Sequence, residues 1–226
     1  MSIFMSKLFP NEPLYCEGKP RPFFRGKFHL SSLVFFPIAF YLLYRDVSSP
    51  QLFWLGTISL STNVACFTVS GLYHVFDWSP TTELFLQKMD HTLISLWCAG
   101  MMLPIAFVLL PKNIGVLFFS IITIAFFFNI DSIWNHCCPS IVKSSAIPAS
   151  LLLFVPQCYI YMNSTEWVSM WMVYIFQIAG TIAYKAEQSA ESNDLFGYHE
   201  LFHLLSLFAA FFVFVVNYSI ISRKHV

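Results

Sequence analysis

The sequence predicts an all-α integral membrane protein, a seven-transmembrane helix bundle, and three observations lead to that prediction. Of its 226 residues, 57% are hydrophobic and only 11% are charged, which is about half the charged share of a soluble domain. The 26 phenylalanines are too many to hide in one soluble core of this size, so most of the surface must face lipid. The apolar residues are also gathered into seven stretches separated by short polar breaks.

The seven stretches approach the length of about 20 apolar residues that a helix needs to cross a bilayer. Before the third stretch, Ser79 and Pro80 form a typical N-cap and first helical residue, so this helix is expected to begin early. Pro104 predicts a kink near its other end. The predicted spans are residues 29–44, 52–76, 84–110, 114–134, 146–162, 167–184 and 197–221.

The distribution of Lys and Arg predicts the orientation of the bundle. Basic residues are concentrated on the cytoplasmic side of membrane proteins, and the chain has a basic cluster immediately before its first span. We therefore expect a cytoplasmic N-terminal segment (1–28), a seven-helix transmembrane domain (29–221) and a short C-terminal tail (222–226) on the opposite side. No cleavable signal peptide is evident, so the first span is expected to direct membrane insertion.

Charge and cysteine content narrow the function classes. The formal net charge is zero, which argues against binding to nucleic acid. The six cysteines have no repeated spacing, so they predict neither a disulfide framework nor a thiolate metal site. The adjacent Cys137 and Cys138 are interpreted as loop thiols.

The most informative motif is FGYHELFH (196–203), which opens the last span. His199 and His203 are four residues apart and therefore share one face of a helix, the spacing with which a helix holds one metal ion. The second span ends in SGLYH, which places Ser70 and His74 on one face, and the third span contains Asp90. With seven spans, all of these residues fall on one side of the bilayer, here the cytoplasmic side.

This combination of residues predicts a catalytic zinc site. Three neutral imidazoles (His74, His199 and His203) and a water complete a tetrahedral Zn²⁺ site with an open position, and zinc activates its water for attack. Asp90 is expected to act as general base or to orient a ligand imidazole. Ser70 is expected to donate a hydrogen bond to a developing oxyanion.

The same residues resemble a known family. SGLYH (70–74), KMDH (88–91) and FGYHELFH (196–203), with the lead-in KPRPFFRGKFHL (19–30), resemble the hemolysin III branch of the progestin and adipoQ receptor (PAQR) family, in the CREST superfamily of seven-helix membrane proteins. The resemblance implies zinc held at His74, His199 and His203, with Ser70 and Asp90 beside it. It also implies hydrolysis of lipid amides, with membrane lipids such as ceramide as substrates. Met101 and Met102 depart from the branch's usual pattern of small and aromatic residues.

Other functions remain open at this point. HELFH also matches the H-E-x-x-H motif of zinc proteases, with Glu200 as general base, but no acidic residue follows Glu200 to serve as a downstream third ligand. A receptor-like or structural protein in which zinc only braces the helices is the second alternative. We expect Glu200 to pair with Lys185 or water, His91 to be a packing residue, and the remaining histidines to be interfacial or solvated: His29, His136 and His225.

Overall fold

The computed structural model of the protein describes residues 22–135, 147, 150, 152–186 and 195–223. The secondary structure of these residues is entirely helical. Six of their helical segments are long and apolar enough to cross a membrane. The prediction of an all-α, multi-pass membrane protein is thereby confirmed.

The helices are numbered here in chain order. They are α1 (Lys27–Ser32), α2 (Phe36–Asp46), α3 (Pro50–Val75), α4 (Pro80–Gly100), α5 (Lys112–Asn135), α6 (Val155–Tyr161), α7 (Ser164–Ala186) and α8 (Tyr198–Ser222). A 3₁₀ turn, Leu33–Phe35, joins α1 and α2 into one span, and a π-helical segment, Ile105–Leu109, prolongs α4. The six spans agree with six of the predicted stretches to within a few residues.

The predicted fifth span, 146–162, is described only in part. Its described portion includes α6, Val155–Tyr161, which is about 10 Å long at 1.5 Å per residue. Residues 146, 148, 149 and 151 of that prediction lie outside the described residues, as do Cys137, Cys138, His136 and His225.

The third span begins and breaks where the sequence predicts. The Ser79 side chain accepts a hydrogen bond from the Thr82 amide, and Pro80 is the first helical residue of α4. Pro104 has no amide hydrogen to donate to the carbonyl of Gly100, four residues earlier, and α4 ends at Gly100. The chain then continues as the π-helical segment, so Pro104 interrupts the α-helix.

The last helix, α8, contacts several of the other described helices. It packs most extensively on α7 and also touches α1, α2 and α3. Near its C-terminal end, Ser219 Oγ and Arg223 Nε donate hydrogen bonds of 2.7 and 2.8 Å to Glu166 at the start of α7. The Glu166 side chain is completely buried, so this ion pair joins the two helices at one face of the bundle.

The surface around the bundle is apolar, as expected for contact with lipid. Large side chains such as Phe35, Ile124 and Ile160 are exposed. One buried polar pair joins two spans: Asn217 of α8 donates a hydrogen bond of 3.0 Å to Ser59 of α3.

We expect Gly115→Ala to destabilise the protein by about 1–3 kcal/mol, because it overpacks a close helix contact. A Cβ at Gly115 would lie 2.0 Å from the backbone oxygen of Ala106, which cannot swing away as a side chain could. Thermal unfolding in detergent measures the effect. Val116→Ala, at an exposed neighbouring position, is the control, and an equal loss in both variants would contradict the prediction.

Candidate metal centre

Three histidines meet where the end of α3 approaches the start of α8. His74 lies in the last turn of α3, and His199 and His203 lie on one face of the first turns of α8. One nitrogen from each ring can be chosen so that all three lie within 4.8 Å of one another, and all three residues are buried. The structure therefore brings together the three predicted ligands.

Local sequence explains why these rings converge. The backbone becomes extended at Phe76, immediately after α3, so His74 stands at the edge of its helix. Helix α8 begins at Tyr198, and the Glu200 carboxylate accepts a hydrogen bond of 2.7 Å from the Gly197 amide, which caps the first turn. His199 and His203 are thus presented by a helix end that is itself fixed.

Asp90 and Ser70 lie beside the three histidines. Asp90 Oδ2 of α4 is 3.7 Å from His74 Nε2, too far for a direct hydrogen bond. The side chains of Ser70 and His74 both lie against the Asp90 carboxylate, and all three residues are buried. Asp90 Oδ1 has no hydrogen-bond partner among the described residues, so this oxygen is available to a bound water or substrate.

The three imidazole rings offer nitrogen donors, which zinc binds, and the distances between these nitrogens are close to those between zinc ligands. Zn–N bonds of about 2.0–2.1 Å in a tetrahedron place the ligand nitrogens about 3.4 Å apart, so small ring movements from the observed 4.8 Å limit would suffice. Nδ1 of His203 is buried and has no hydrogen-bond partner within the described part of the chain. A buried imidazole nitrogen without a hydrogen-bond partner is costly, and a metal ion would satisfy it.

The environment of His29 differs from the prediction. We expected this histidine to be interfacial or solvated, but it is buried. Its ring stacks face to face on the His203 ring, with centroids 4.1 Å apart, and on Phe67, with centroids 4.4 Å apart. His29, in the first turns of the first span, therefore packs against a candidate ligand.

Glu200 also has a different partner from the one expected. Its carboxylate forms a buried ion pair with Arg25 rather than pairing with Lys185 or water. The second carboxylate oxygen receives the Gly197 amide. With both oxygens engaged, Glu200 is poorly placed to act as the general base of an H-E-x-x-H protease. His91, expected to be a packing residue, does not belong to the group of three histidines.

A small cleft of about 20 Å³, room for roughly one water molecule, is lined by His29 and Ser70 among other residues. Its walls are mainly apolar, with Ser70, Gln177 and Ser206 among the polar residues at its surface. The indole N–H of Trp97, also in the lining, has no hydrogen-bond partner among the described residues. The cleft thus offers an apolar space next to the site, with a few polar groups.

Comparison with known families supports this description of the chain. Residues 18–214 match the family model described as Haemolysin-III related. The chain belongs to the haemolysin-III-related family. The match covers all three histidines as well as Ser70 and Asp90, so the candidate site of this haemolysin-III-related protein lies within the family domain.

Sequence reasoning missed the contributions of Arg25, His29, Trp97 and Gln177. Arg25 precedes the helix that carries His29, and Gly26 between them has a left-handed backbone, so their spacing gave no helical signal. Trp97 and Gln177 gave no signal either, because one polar side chain in an apolar helix does not indicate which neighbour it faces.

Purified wild-type protein should contain about one zinc per chain, and His199→Ala should remove it, because two imidazoles hold zinc far more weakly than three. Metal content after dialysis, measured by mass spectrometry, tests this. His91→Ala is the matched control and should retain zinc. Wild-type protein without stoichiometric zinc would rule out the metal site.

Proposed function

We propose that this haemolysin-III-related membrane protein binds zinc through His74, His199 and His203 and hydrolyses an amide or ester bond of a membrane lipid. The observation that supports this most directly is the group of three buried histidines with the Asp90 carboxylate 3.7 Å from His74. Three neutral ligands and a nearby carboxylate are typical of hydrolytic zinc sites.

The residues have distinct roles in this reaction. A bound zinc ion supplies Lewis acidity, which activates a water molecule and polarises a carbonyl group. Asp90 accepts a proton from the attacking water as its oxygen adds to the carbonyl carbon. Ser70 donates a hydrogen bond to the carbonyl oxygen as negative charge develops there. The bond to the leaving amine or alcohol then breaks, and the proton held by Asp90 passes to that group.

The adjoining cleft favours a substrate with an acyl chain. Its lining includes Phe67, Ile94 and Phe202. A hydrocarbon chain would pack against these side chains after they move apart to admit it, since the cleft as it stands has room for roughly one water. Ser70 belongs both to this lining and to the surroundings of Asp90, so an acyl group in the cleft would place its carbonyl near the histidines. Ceramide, in which an acyl chain is joined through an amide, fits this description.

The proposed topology has seven spans with the N-terminus in the cytoplasm. At the end of α5, the Trp134 indole donates a hydrogen bond of 3.1 Å to Thr92, near the candidate site. At the start of α7, Glu166 binds Arg223 at the other end of α8. The chain therefore leaves α5 on one face of the bundle and enters α7 on the opposite face.

We infer a further crossing between α5 and α7, and these two contacts support it. Residues 136–163 are numerous enough for the roughly 20 residues that one crossing needs. The same crossing places the start of α8 on the side of the site, as the meeting of His199 with His74 requires. The position of the basic N-terminal cluster supports the cytoplasmic assignment.

A structural role for zinc is the second candidate function. The three histidines come from two helices, α3 and α8, so an ion held by all three would crosslink two spans. Asp90 is near enough to become a fourth ligand after a small movement, and a site with four protein ligands is typical of structural zinc.

Asp90→Ala should reduce release of fatty acid from a ceramide substrate by at least about a hundredfold, since it removes the general base, while zinc content stays at the wild-type level. Fatty acid release is measured by mass spectrometry with protein in detergent–lipid micelles. Asp77→Ala, at an exposed position after α3, is the control. Full activity of the Asp90→Ala variant would contradict the role of Asp90. A wild-type protein that binds zinc but is inactive, and that loses zinc when Asp90 is replaced, would favour the structural alternative.

Thiol labelling tests the seven-span topology. In a variant with its six native cysteines replaced by serine, Asp77→Cys and Asn135→Cys should react with a membrane-impermeant reagent from one side of the membrane. Ser48→Cys and Asn163→Cys should react from the other side. All four positions are exposed. Labelling of Asn135→Cys and Asn163→Cys from the same side would exclude the crossing between α5 and α7.

A further inference from the structure

The segment at the entrance to the first span touches both helices that carry the three histidines, α3 and α8. We call residues 24–30 the clamp segment. Gly26 has a left-handed backbone (φ 73°), and a Cβ there would lie 2.7 Å from the Cβ of His74. Leu30 fills the space above Gly71, where an added Cβ would lie 2.5 Å from the Leu30 Cγ. The clamp segment therefore lies directly against the last turn of α3.

The clamp segment also holds the first turn of α8. The Arg25 and Glu200 side chains form an ion pair and are 7% and 0% exposed. Glu200 lies between His199 and His203 in the sequence and also caps α8 through the Gly197 amide. Since loss of one partner of a buried ion pair leaves the other charge buried and unpaired, this contact restricts both the position and the rotation of the helix end.

His29 restricts the ring of His203. The rings of Phe67, His29 and His203 form a continuous stack with interplanar angles of 5° and 3°. Two parallel stacked rings direct their in-plane nitrogens along parallel planes, whereas ligands of one tetrahedral ion converge from different directions. His29 is thus suited to orient His203 rather than to act as a fourth ligand.

We propose that Arg25 and His29 are positioning residues, through which the clamp segment holds the histidines in the geometry that retains the metal. This inference rests on the proposed zinc site and adds two residues that would orient its ligands. Residues that orient metal ligands typically affect metal affinity by about 10- to 100-fold. The effect acts through Glu200 and His203, since Arg25 and His29 lie outside the group of three ligands.

The rate of zinc release to a chromogenic chelator tests the role of Arg25. Arg25→Gln and Glu200→Gln should each accelerate release by about tenfold, and the double variant should release zinc no faster than the faster single variant, because both changes break one contact. An effect of charge alone predicts opposite shifts: loss of the cation would slow release, and loss of the carboxylate would accelerate it. Opposite shifts would overturn the proposal.

The second buried Arg–Glu pair provides a matched control. Glu166→Gln disrupts the pair with Arg223 at the far end of the same helix and should leave zinc release at the wild-type rate, even where it lowers the thermal unfolding temperature as much as Glu200→Gln does. Equal acceleration in both variants would show a general loss of stability and overturn the positioning role. A wild type that binds no zinc would defeat the proposed function as well, whereas unchanged release in the Arg25 and Glu200 variants would defeat only this inference.

His29 is tested by two substitutions that differ in shape. His29→Phe keeps an aromatic ring in the stack and should release zinc within about threefold of the wild-type rate, whereas His29→Ala removes the ring and should accelerate release by about tenfold. If both variants behave like wild type, the stack does not position His203. If both lose zinc equally, the imidazole itself is required and the stacking role is wrong.

Discussion

The position of α8 is the constraint on which the candidate site depends. Two of the three histidines lie on this helix, and each of its ends is held by a buried glutamate: Glu200 with Arg25 at the start, and Glu166 with Arg223 at the end. A rotation of α8 by roughly 100°, the angle between neighbouring residues, or a translation by one turn would separate His199 and His203 from His74. Lipid does not supply hydrogen-bond partners to the interior of a bundle, so such polar contacts have to be made within the protein.

The overall fold and the group of histidines could be predicted because both depend on short-range patterns. Apolar length predicts a span, and the spacing of His199 and His203 predicts a shared helix face. Ser79 and Pro80 predicted the start of α4 for the same local reason. The meeting of His74 with the α8 pair required one further premise, the number of crossings, which fixes the side of the membrane on which each helix begins.

The environments of His29, Arg25 and Glu200 could not be predicted in this way. Arg25 lies just before the first span and His29 at its entrance, in a stretch with charged and glycine residues, and such composition normally indicates contact with solvent. Their burial depends on a left-handed turn at Gly26 and on the small residue Gly71 in α3, which together let the segment approach the bundle. These are contacts between residues far apart in sequence, and neither hydropathy nor helical spacing encodes them.

The HELFH motif illustrates how surroundings determine the role of a residue. In a zinc protease of the H-E-x-x-H type, the glutamate faces the metal and its water. Here Glu200 is directed to Arg25 and to the Gly197 amide, and the nearby carboxylate is contributed by α4 through Asp90. The HELFH segment thus contributes two histidines to the candidate site, and its glutamate caps the helix beside them.

The two ion pairs of α8 are separated by about the thickness of the hydrocarbon region of a bilayer. Glu200 and Arg223 are 23 residues apart, which corresponds to about 34 Å of helix at 1.5 Å per residue, slightly more than the roughly 30 Å of hydrocarbon in a bilayer. If α8 stands upright in a bilayer, both charged pairs would lie at the level of the polar headgroups, and the helix between them matches the thickness of the acyl-chain region. In that orientation His199 and His203, within one turn of Glu200, would lie at the boundary between headgroups and acyl chains, the depth at which bilayer lipids carry their amide and ester linkages.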